Sequence, residues 1–269
     1  MASTPGELTV RSGRVKHARR LATRAFRSDT GEFLAEGPQA VREALTVVGV
    51  TIEVFATAEA TLRHADLQQR ARQSGVQWHV VDDDVVDGIS DAASPQGLVA
   101  RCASVVLDLD GLPADASLVV VCVDMRDPGN AGAVIRCADA AGADAVVLCA
   151  DSVDPTNPKA VRASAGSLFH LPVIVHRDLA DVVAVLAARD LQVLAADGEG
   201  EMALFDAALD LARPTAWVMG NEATGLSRDA RGLADAVVAV PIYGRAESLN
   251  LATAAAVCLY ASARARHAG

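Results

Sequence analysis

From Leu118 onward the chain alternates short, continuously apolar runs with longer stretches of helical periodicity. The runs "LVVVCVD", "AVVLCA", "LPVIVH", "QVLAAD", "AWVMG" and "VVAVPI" have the length and β-branched content of strands buried on both faces. Between and after them, "NAGAVIRCADAAG", "DLADVVAVLAARD" and the long C-terminal stretch after Asn250 carry helical patterns. Strands alternating with helices predict an α/β domain, a parallel sheet covered on both faces. The first hundred residues predict a smaller α/β unit. A helix over about 11–27 and a short amphipathic helix after Gly37-Pro38 precede a strand "TIEVFAT", a helix "LRHADLQQRARQSG" and a strand "VQWHVVD", and "SPQGLVARCA" turns into a last strand. Asp82-Asp83-Asp84 marks a solvated turn or a helix start. Around "LDLDGLPADAS" the composition shifts to Asp, Gly, Pro and Ala. The expected division is therefore an N-terminal domain over 1–106, a linker over 107–117 and a larger domain over 118–269.

Composition narrows the picture in three places. The 269 residues are 51% hydrophobic but only 3% aromatic, so Ala, Val and Leu must build the core. No apolar run reaches the roughly 18–20 residues of a membrane-spanning helix. The five cysteines form no C-x-x-C pair and the six histidines lack ligand spacing. They point to reduced thiols in a cytoplasmic protein and to no metal site. The net charge of −10 argues against a nucleic-acid partner, but its distribution does not. Residues 11–27 hold seven of the 24 Lys and Arg and no acid. Such a run is either a solvated basic helix or an arm that contacts phosphates, with Arg14, Lys16, Arg19 and Arg20 as the candidates.

In an open α/β sheet, ligands bind beyond the carboxyl ends of the strands. Four polar, glycine-bearing loops fall there: "MRDPGNAGAVIR", "AADGEG", "MGNEATGLS" and "VPIYGRAESLN". They contain no G-x-G-x-x-G, no Walker loop and no G-x-S-x-G elbow, which removes the main signatures of dehydrogenases, nucleotide hydrolases and serine esterases. What remains is a set of polar residues, Asn130, Arg136, Glu222, Ser248 and Asn250. Each has an ordinary explanation, such as Asn130 as a helix N-cap or Arg136 as a surface ion-pair partner. Asn250 is harder to explain, since it stands inside an apolar run and costs free energy there without a partner.

Three of these stretches, "DPGNAGAVIRCADAAGADAVVL", "WVMGNEATGLS" and "VPIYGRAESLNLATAAAVCLY", together with "NPKAVRASAGSLFHLPV", resemble in order the motifs of the SpoU (TrmH) family of RNA 2′-O-ribose methyltransferases. "FLAEGPQAVREAL" and "SPQGLVA" resemble the L30e-like substrate-binding domain that many members carry. The resemblance implies a SPOUT domain with a deep trefoil knot, a homodimer through the knotted domain and last helix, and S-adenosylmethionine (SAM) as cofactor. By the family pattern the cofactor site falls on Leu194, Ala195, Ala196, Gly220, Asn221, Val240, Ile242, Leu249 and Leu251, and the catalytic set on Asn130, Arg136, Glu222, Ser248 and Asn250. Asn157, Lys159, Arg162 and Ser164 would face RNA. A guanidinium is always protonated, so Arg136 is better suited to stabilising a developing alkoxide than to removing a proton. Ala223 departs from the family pattern, which places glycine there. A separate N-terminal domain favours ribosomal over transfer RNA, and some ribosomal members confer antibiotic resistance. The alternatives are a transfer RNA substrate, a base methyltransferase of the same superfamily, or a non-catalytic RNA-binding or ribosome-assembly factor that retains the fold.

Overall fold

The computed structural model describes residues 8–267, so residues 1–7 of the expected N-terminal domain and the last two residues of the chain lie outside the described residues. In chain order the elements up to Ala103 are α1 (Gly13–Arg20), α2 (Arg24–Thr30), β1 (Glu32–Glu36), α3 (Pro38–Ala44), β2 (Thr51–Thr57), α4 (Ala58–Arg63), α5 (Ala65–Gln73), β3 (Gln77–Val81), α6 (Asp83–Ile89) and β4 (Leu98–Ala103). There follow β5 (Val106–Leu107), β6 (Leu118–Val123), α7 (Pro128–Ala140), β7 (Ala145–Cys149), α8 (Pro158–Ser164), β8 (Val173–His176), α9 (Leu179–Ala187), β9 (Gln192–Ala196), β10 (Met202–Ala203), β11 (Thr215–Met219), α10 (Arg228–Gly232), β12 (Ala236–Ala239) and α11 (Leu251–His267).

The chain divides into two units, and the division corrects the expected boundaries. The first comprises the residues up to Val105 together with Asp154–His170; the second comprises Val106–Val153 and the chain from Leu171. The segment 107–117 is no linker. Leu107 belongs to β5, which pairs with β8, and Leu112 and Ala116 are buried in the core of the second unit. Its Asp, Gly and Pro content marks tight turns between buried anchors.

In the first unit the sheet order is β1-β4-β2-β3, with β2 and β3 parallel and β4 antiparallel to both its neighbours. One face buries Leu34, Phe55 and Val99 against Val15, Ala18 and Leu21 and against Val85, Val86 and Ile89 of α6. The basic N-terminal segment is thus built into the fold rather than left as an arm. Val15, Ala18 and Leu21 recur every three residues, a core-facing stripe carried on a highly charged helix. The expected single helix over 11–27 is two, broken between Arg20 and Arg24. Arg27 is buried. It donates from Nε and Nη2 to Asp154 at 2.9 and 2.6 Å, and from Nη1 to the carbonyl of Leu21 at 2.9 Å. A buried guanidinium needs such a full set of acceptors, and Asp154 supplies the charge. At the other end of the same segment, Phe169 stacks on Phe33 with ring centroids 6.0 Å apart.

The second sheet is parallel throughout, in the order β10-β12-β9-β11-β6-β7-β8-β5. Val119, Val121, Ala216, Val218, Val193 and Ala195 face Val182 and Leu186 of α9. On the opposite face α11 packs against α7, β6 and β11. There Trp217, fully buried, donates its indole N–H to Ser262 of α11 at 2.9 Å. Among the described residues all five cysteines are free, and burial pushes the thiols of Cys102, Cys149 and Cys258 up to about 12, which keeps them protonated and inert.

A charge cluster crosses the first sheet. Glu53, whose side chain is 1% exposed, accepts from Arg14 at 2.9 Å, from Arg101 at 2.6 Å and from the ring of His79 at 3.0 Å. Arg101 also reaches Glu32 at 2.7 Å. Burial alone would raise the carboxyls of Glu53 and Glu32; hydrogen bonds and charge from Arg14, Arg101 and His17 outweigh it and hold both below the usual carboxylate range. A depressed folded-state value stabilises the fold above the unfolded carboxylate value, about 4.3, and that stability is lost as pH falls through the folded value. Glu53→Ala removes the shared acceptor of Arg14, Arg101 and His79, leaves Arg101 with Glu32 alone, and should cost about 3 kcal/mol in denaturant unfolding. Glu53→Gln should flatten the acid limb of thermal stability against pH. An acid limb as steep as that of the native protein would show that Glu53 is not a source of the acid sensitivity.

Candidate functional site

The parallel sheet brings the carboxyl ends of β12, β9, β11 and β6 side by side along one edge. The loop after β11 folds back closely on its own backbone. A Cβ on Gly220 would lie 2.4 Å from the carbonyl carbon of Gly225 and 2.5 Å from the nitrogen of Leu226, so no larger residue fits without moving backbone. Asn221 holds the turn shut: its N–H and C=O bond both ways with Gly225, its Oδ1 accepts from Ala223 N at 2.9 Å, and its Nδ2 donates to the carbonyl of Asp124 at 2.7 Å. Gly225 takes the left-handed conformation this turn needs, at φ 64°. Ala223 stays outside that region, so the departure from glycine there introduces no backbone strain. Asp124 does adopt it, at φ 54°, an uncommon state for a non-glycine residue at the end of a strand.

Across this turn three of the expected polar residues meet. Asp127, not Asn130, caps α7, its Oδ1 accepting from Asn130 N at 2.8 Å. Released from capping, the Asn130 side chain donates from Nδ2 to Glu222 at 3.1 Å and accepts at Oδ1 from Asn250 Nδ2 at 3.0 Å. Asn250 is itself the cap of α11, its Oδ1 accepting from Ala252 N at 3.0 Å, which resolves its place at the mouth of an apolar helix. Burial acts to raise the Glu222 carboxyl, but the Asn130 amide and the N–H groups of Arg126 and Asp127 outweigh it and hold the group below the usual range. Glu222 is therefore an ionised acceptor at neutral pH.

These residues line the rim of a cleft of about 490 Å³. Its walls are Ala196, Met219, Gly220, Val240, Ile242, Leu249, Leu251 and Ala254, with Asp197, Asn221, Glu247 and Ser248 as further polar groups. An apolar slot of that size with a few fixed polar groups and a backbone that can be approached closely suits a drug-sized heteroaromatic ligand. Met219, Asp197 and Gly225 are not among the residues the sequence singles out; for Asp197 and Gly225 the signal is there, in the loops that follow β9 and β11.

The structure separates other expected residues from this cleft. Leu194 and Ala195 are buried within β9, and only Ala196 of that strand reaches the wall. Arg136 is exposed on α7 and does not line the cleft. It lies six residues beyond Asn130, about 9 Å along the helix and on a different side of it. Among the expected RNA contacts, Lys16, Arg19 and Lys159 are exposed. Arg14 is paired with Glu53, and the Arg20 guanidinium lies 3.9 Å over the Phe26 ring. Asn157 caps α8, while Ser164 is fully buried and donates to the carbonyl of Val161 at 2.8 Å, which removes it from any RNA-facing surface. Arg162 is bound to Glu36 and Asp91. No group of His, Cys, Asp or Glu among the described residues could hold a metal ion, and no helix there is long and apolar enough to cross a membrane.

Comparison with known proteins gives the arrangement a context. Residues 117–260 match the model of the SpoU rRNA Methylase family, and residues 13–100 match the MRM3-like substrate binding domain. The chain is 34% identical over 252 residues to the Bacillus subtilis 23S rRNA (guanosine(2553)-2'-O)-methyltransferase RlmP, covering 94% of this chain and 96% of that one. It is 35% identical over 211 residues to a 23S rRNA (guanosine-2'-O-)-methyltransferase RlmB from Xylella fastidiosa, covering 76% and 84% respectively. Among solved structures, the SpoU methyltransferase AviRb of Streptomyces viridochromogenes in complex with AdoMet superposes with a TM-score of 0.85 at 29% identity, covering 96% of this chain and 100% of that one. An AdoMet-bound rRNA methyltransferase from Sinorhizobium meliloti gives 0.80 at 30% identity, covering 96% of each chain.

The Gly220 contact is open to a direct test. Gly220→Ala should force the loop after β11 away from its partner backbone and cost about 1–3 kcal/mol, as overpacking does. Unchanged denaturant unfolding would mean that the turn is looser than its geometry requires.

Proposed function

Because the chain belongs to the SpoU rRNA methylase family, we propose that it transfers the methyl group of S-adenosylmethionine to a ribose 2′-hydroxyl of 23S ribosomal RNA. The names of the Bacillus and Xylella relatives and the cofactor in the Streptomyces and Sinorhizobium neighbours support the reading. The observation in this chain that carries it is the hydrogen-bonded series Asn250–Asn130–Glu222 at the rim of the cleft.

Bound in that cleft, S-adenosylmethionine supplies a methyl group made electrophilic by the sulfonium charge. Ala196, Gly220, Val240, Ile242, Leu249 and Leu251 would hold it, largely through apolar surface and main-chain groups. The remaining task is to align a weakly acidic alcohol and to stabilise its developing charge. Glu222, ionised and already accepting from Asn130, is a poor candidate for removing the proton; its work is to fix the Asn130 amide. Each of the two asparagine amides has two N–H donors. One on Asn130 is spent on Glu222 and one on Asn250 is spent on Asn130, which leaves one on each, beside the Ser248 hydroxyl, to hold the nucleotide.

Arg136 is the residue the fold leaves out of its own cleft. A homodimer through the α7 and α11 face answers this, because a second chain could present its guanidinium to the first chain's site. Support comes from the apolar character of α11, on which Tyr260 remains half exposed. The basic residues Lys16, Arg19 and Lys159 would add phosphate contacts.

Tritiated S-adenosylmethionine and separate pools of unmodified ribosomal and transfer RNA test the reaction. Label in an alkali-resistant dinucleotide from the ribosomal pool is expected; label in mononucleotides would mean base methylation and overturn the reading. Asn250→Asp keeps the helix cap but removes the donor to Asn130. It should preserve the melting temperature and slow transfer at least about tenfold, at the scale of one transition-state hydrogen bond. Arg136→Ala should abolish transfer, and mixing it with Asn250→Asp should restore part of the activity if the site is shared between chains. Near-normal transfer by Arg136→Ala would take that residue out of the mechanism.

A further inference from the structure

A second hollow, of about 300 Å³, opens in the first unit between the loop after β1, the loop before β4 and α8. At its edge stands a carboxylate that is almost wholly buried yet fully engaged. Glu36, with its side chain 4% exposed, accepts from Ser90 Oγ at 2.9 Å, from Asp91 N at 2.9 Å and from Arg162 Nη1 at 2.8 Å. The second terminal nitrogen of Arg162 donates to Asp91 at 3.3 Å. Two carboxylates thus hold one guanidinium, so its plane is fixed while its charge is outnumbered. Arg162 is in consequence poorly suited to catching a phosphate. A pinned, partly exposed guanidinium plane is instead a stacking surface for a flat π-system.

Beside it lies a side chain with unused hydrogen-bonding capacity. Gln96 and Ser94 are exposed, and neither side chain is tied to another protein group among the described residues, so both remain open to a ligand. The Gln96 carbonyl oxygen lies over Gly37: a Cβ there would come within 2.6 Å of it. Gly37, at φ 86°, is therefore required twice, for its backbone conformation and for the space that Gln96 uses. A planar platform, a free amide that can both donate and accept, and an apolar floor from Leu98 and Val99 describe a slot for a flat heterocycle with a hydrogen-bonding edge. The volume is at the low end for ligand sites, the size of one base rather than a long ligand.

We infer that this pocket takes one unstacked RNA nucleobase, laid on the Arg162 guanidinium and read along its edge by the Gln96 amide. The inference rests on the proposed RNA methyltransferase function and names a place where the first unit grips its substrate. Sequence-selective RNA binding proceeds in this way, by splaying a base from a loop, stacking it on an aromatic ring or a guanidinium plane and bonding its edge.

The test uses the full chain and fluorescein-labelled single-stranded RNA hexamers of random sequence. Anisotropy is followed at about 0.3 M salt, where phosphate attraction is largely screened. Gln96→Ala, in an exposed loop, should weaken binding about tenfold, the scale of one lost base-edge contact. Arg162→Lys keeps the charge and removes the plane, and should weaken binding similarly. A mixture of free nucleoside monophosphates should compete with the hexamers for the native protein and far less for Gln96→Ala. Native affinity and native competition in Gln96→Ala would overturn the inference, whatever Arg162→Lys does to folding. The readout involves no methyl transfer, so the two readings fail separately. Loss of binding in the variants without transfer by the native protein would sink the enzymatic reading alone. Transfer by the native protein with hexamer binding indifferent to Gln96 would sink the pocket alone.

Discussion

One asparagine amide governs the second unit's cleft. With its oxygen Asn250 caps α11, and with its nitrogen it donates to Asn130 near the start of α7. The two helices lie on the same face of the sheet and pack against each other. The bond therefore ties the end of a long exposed loop, 240–250, to the first turn of a helix laid down more than a hundred residues earlier. Asn130 passes the constraint to Glu222, and the Glu222 loop is closed by Asn221 over Gly220. Two of the four loops that the sheet gathers at its edge, those after β6 and β11, are in this way fixed to the α11 cap, and with it to the last loop.

Much of this was legible in the chain because parallel strands announce themselves. "LVVVCVD", "AVVLCA" and "QVLAAD" are unbroken apolar runs, and each became a strand of the second sheet. The polar residues that meet at the cleft could be assembled in advance because the strand-end rule points to their loops. Less legible were the elements whose apolar signal is short or masked by charge. Strand β1 has only "FLA" between two glutamates, and α1 hides a three-residue apolar stripe beneath five basic residues. Which member of a polar cluster caps a helix was also beyond the sequence. Asp127 and Asn130 both suit α7, and only geometry shows that Asp127 takes the role and frees the asparagine.

The basic N-terminal segment shows how charge can mislead. Seven cations without an acid within 11–27 look like a polyanion site. Two of the seven are paired with acids from distant parts of the same chain, Arg14 with Glu53 and Arg27 with Asp154, and His17 between them meets Glu32. Local charge density along the sequence is a poor guide to surface potential when a sheet brings carboxylates from elsewhere beneath the same helix. Arg27 alone of the seven is buried and Arg14 is paired, while Arg11, Lys16, Arg19, Arg20 and Arg24 keep their exposure, so folding trims this cationic surface by two charges.

The membership of Asp154–His170 in the first unit has an evolutionary corollary. The stretch falls inside the 117–260 match to the methylase family, yet Asp154 neutralises the buried Arg27, Arg162 pins Glu36 and Phe169 covers Phe33. The small domain is therefore not a cassette that a recombination event near residue 105 could move intact. Such a transfer would carry away the helices and leave behind the aspartate, the arginine and the phenylalanine that complete them. Lineages that gained or lost this domain would have had to rewrite both segments together, and exchange between relatives should leave its seams at paired positions rather than at a single crossover.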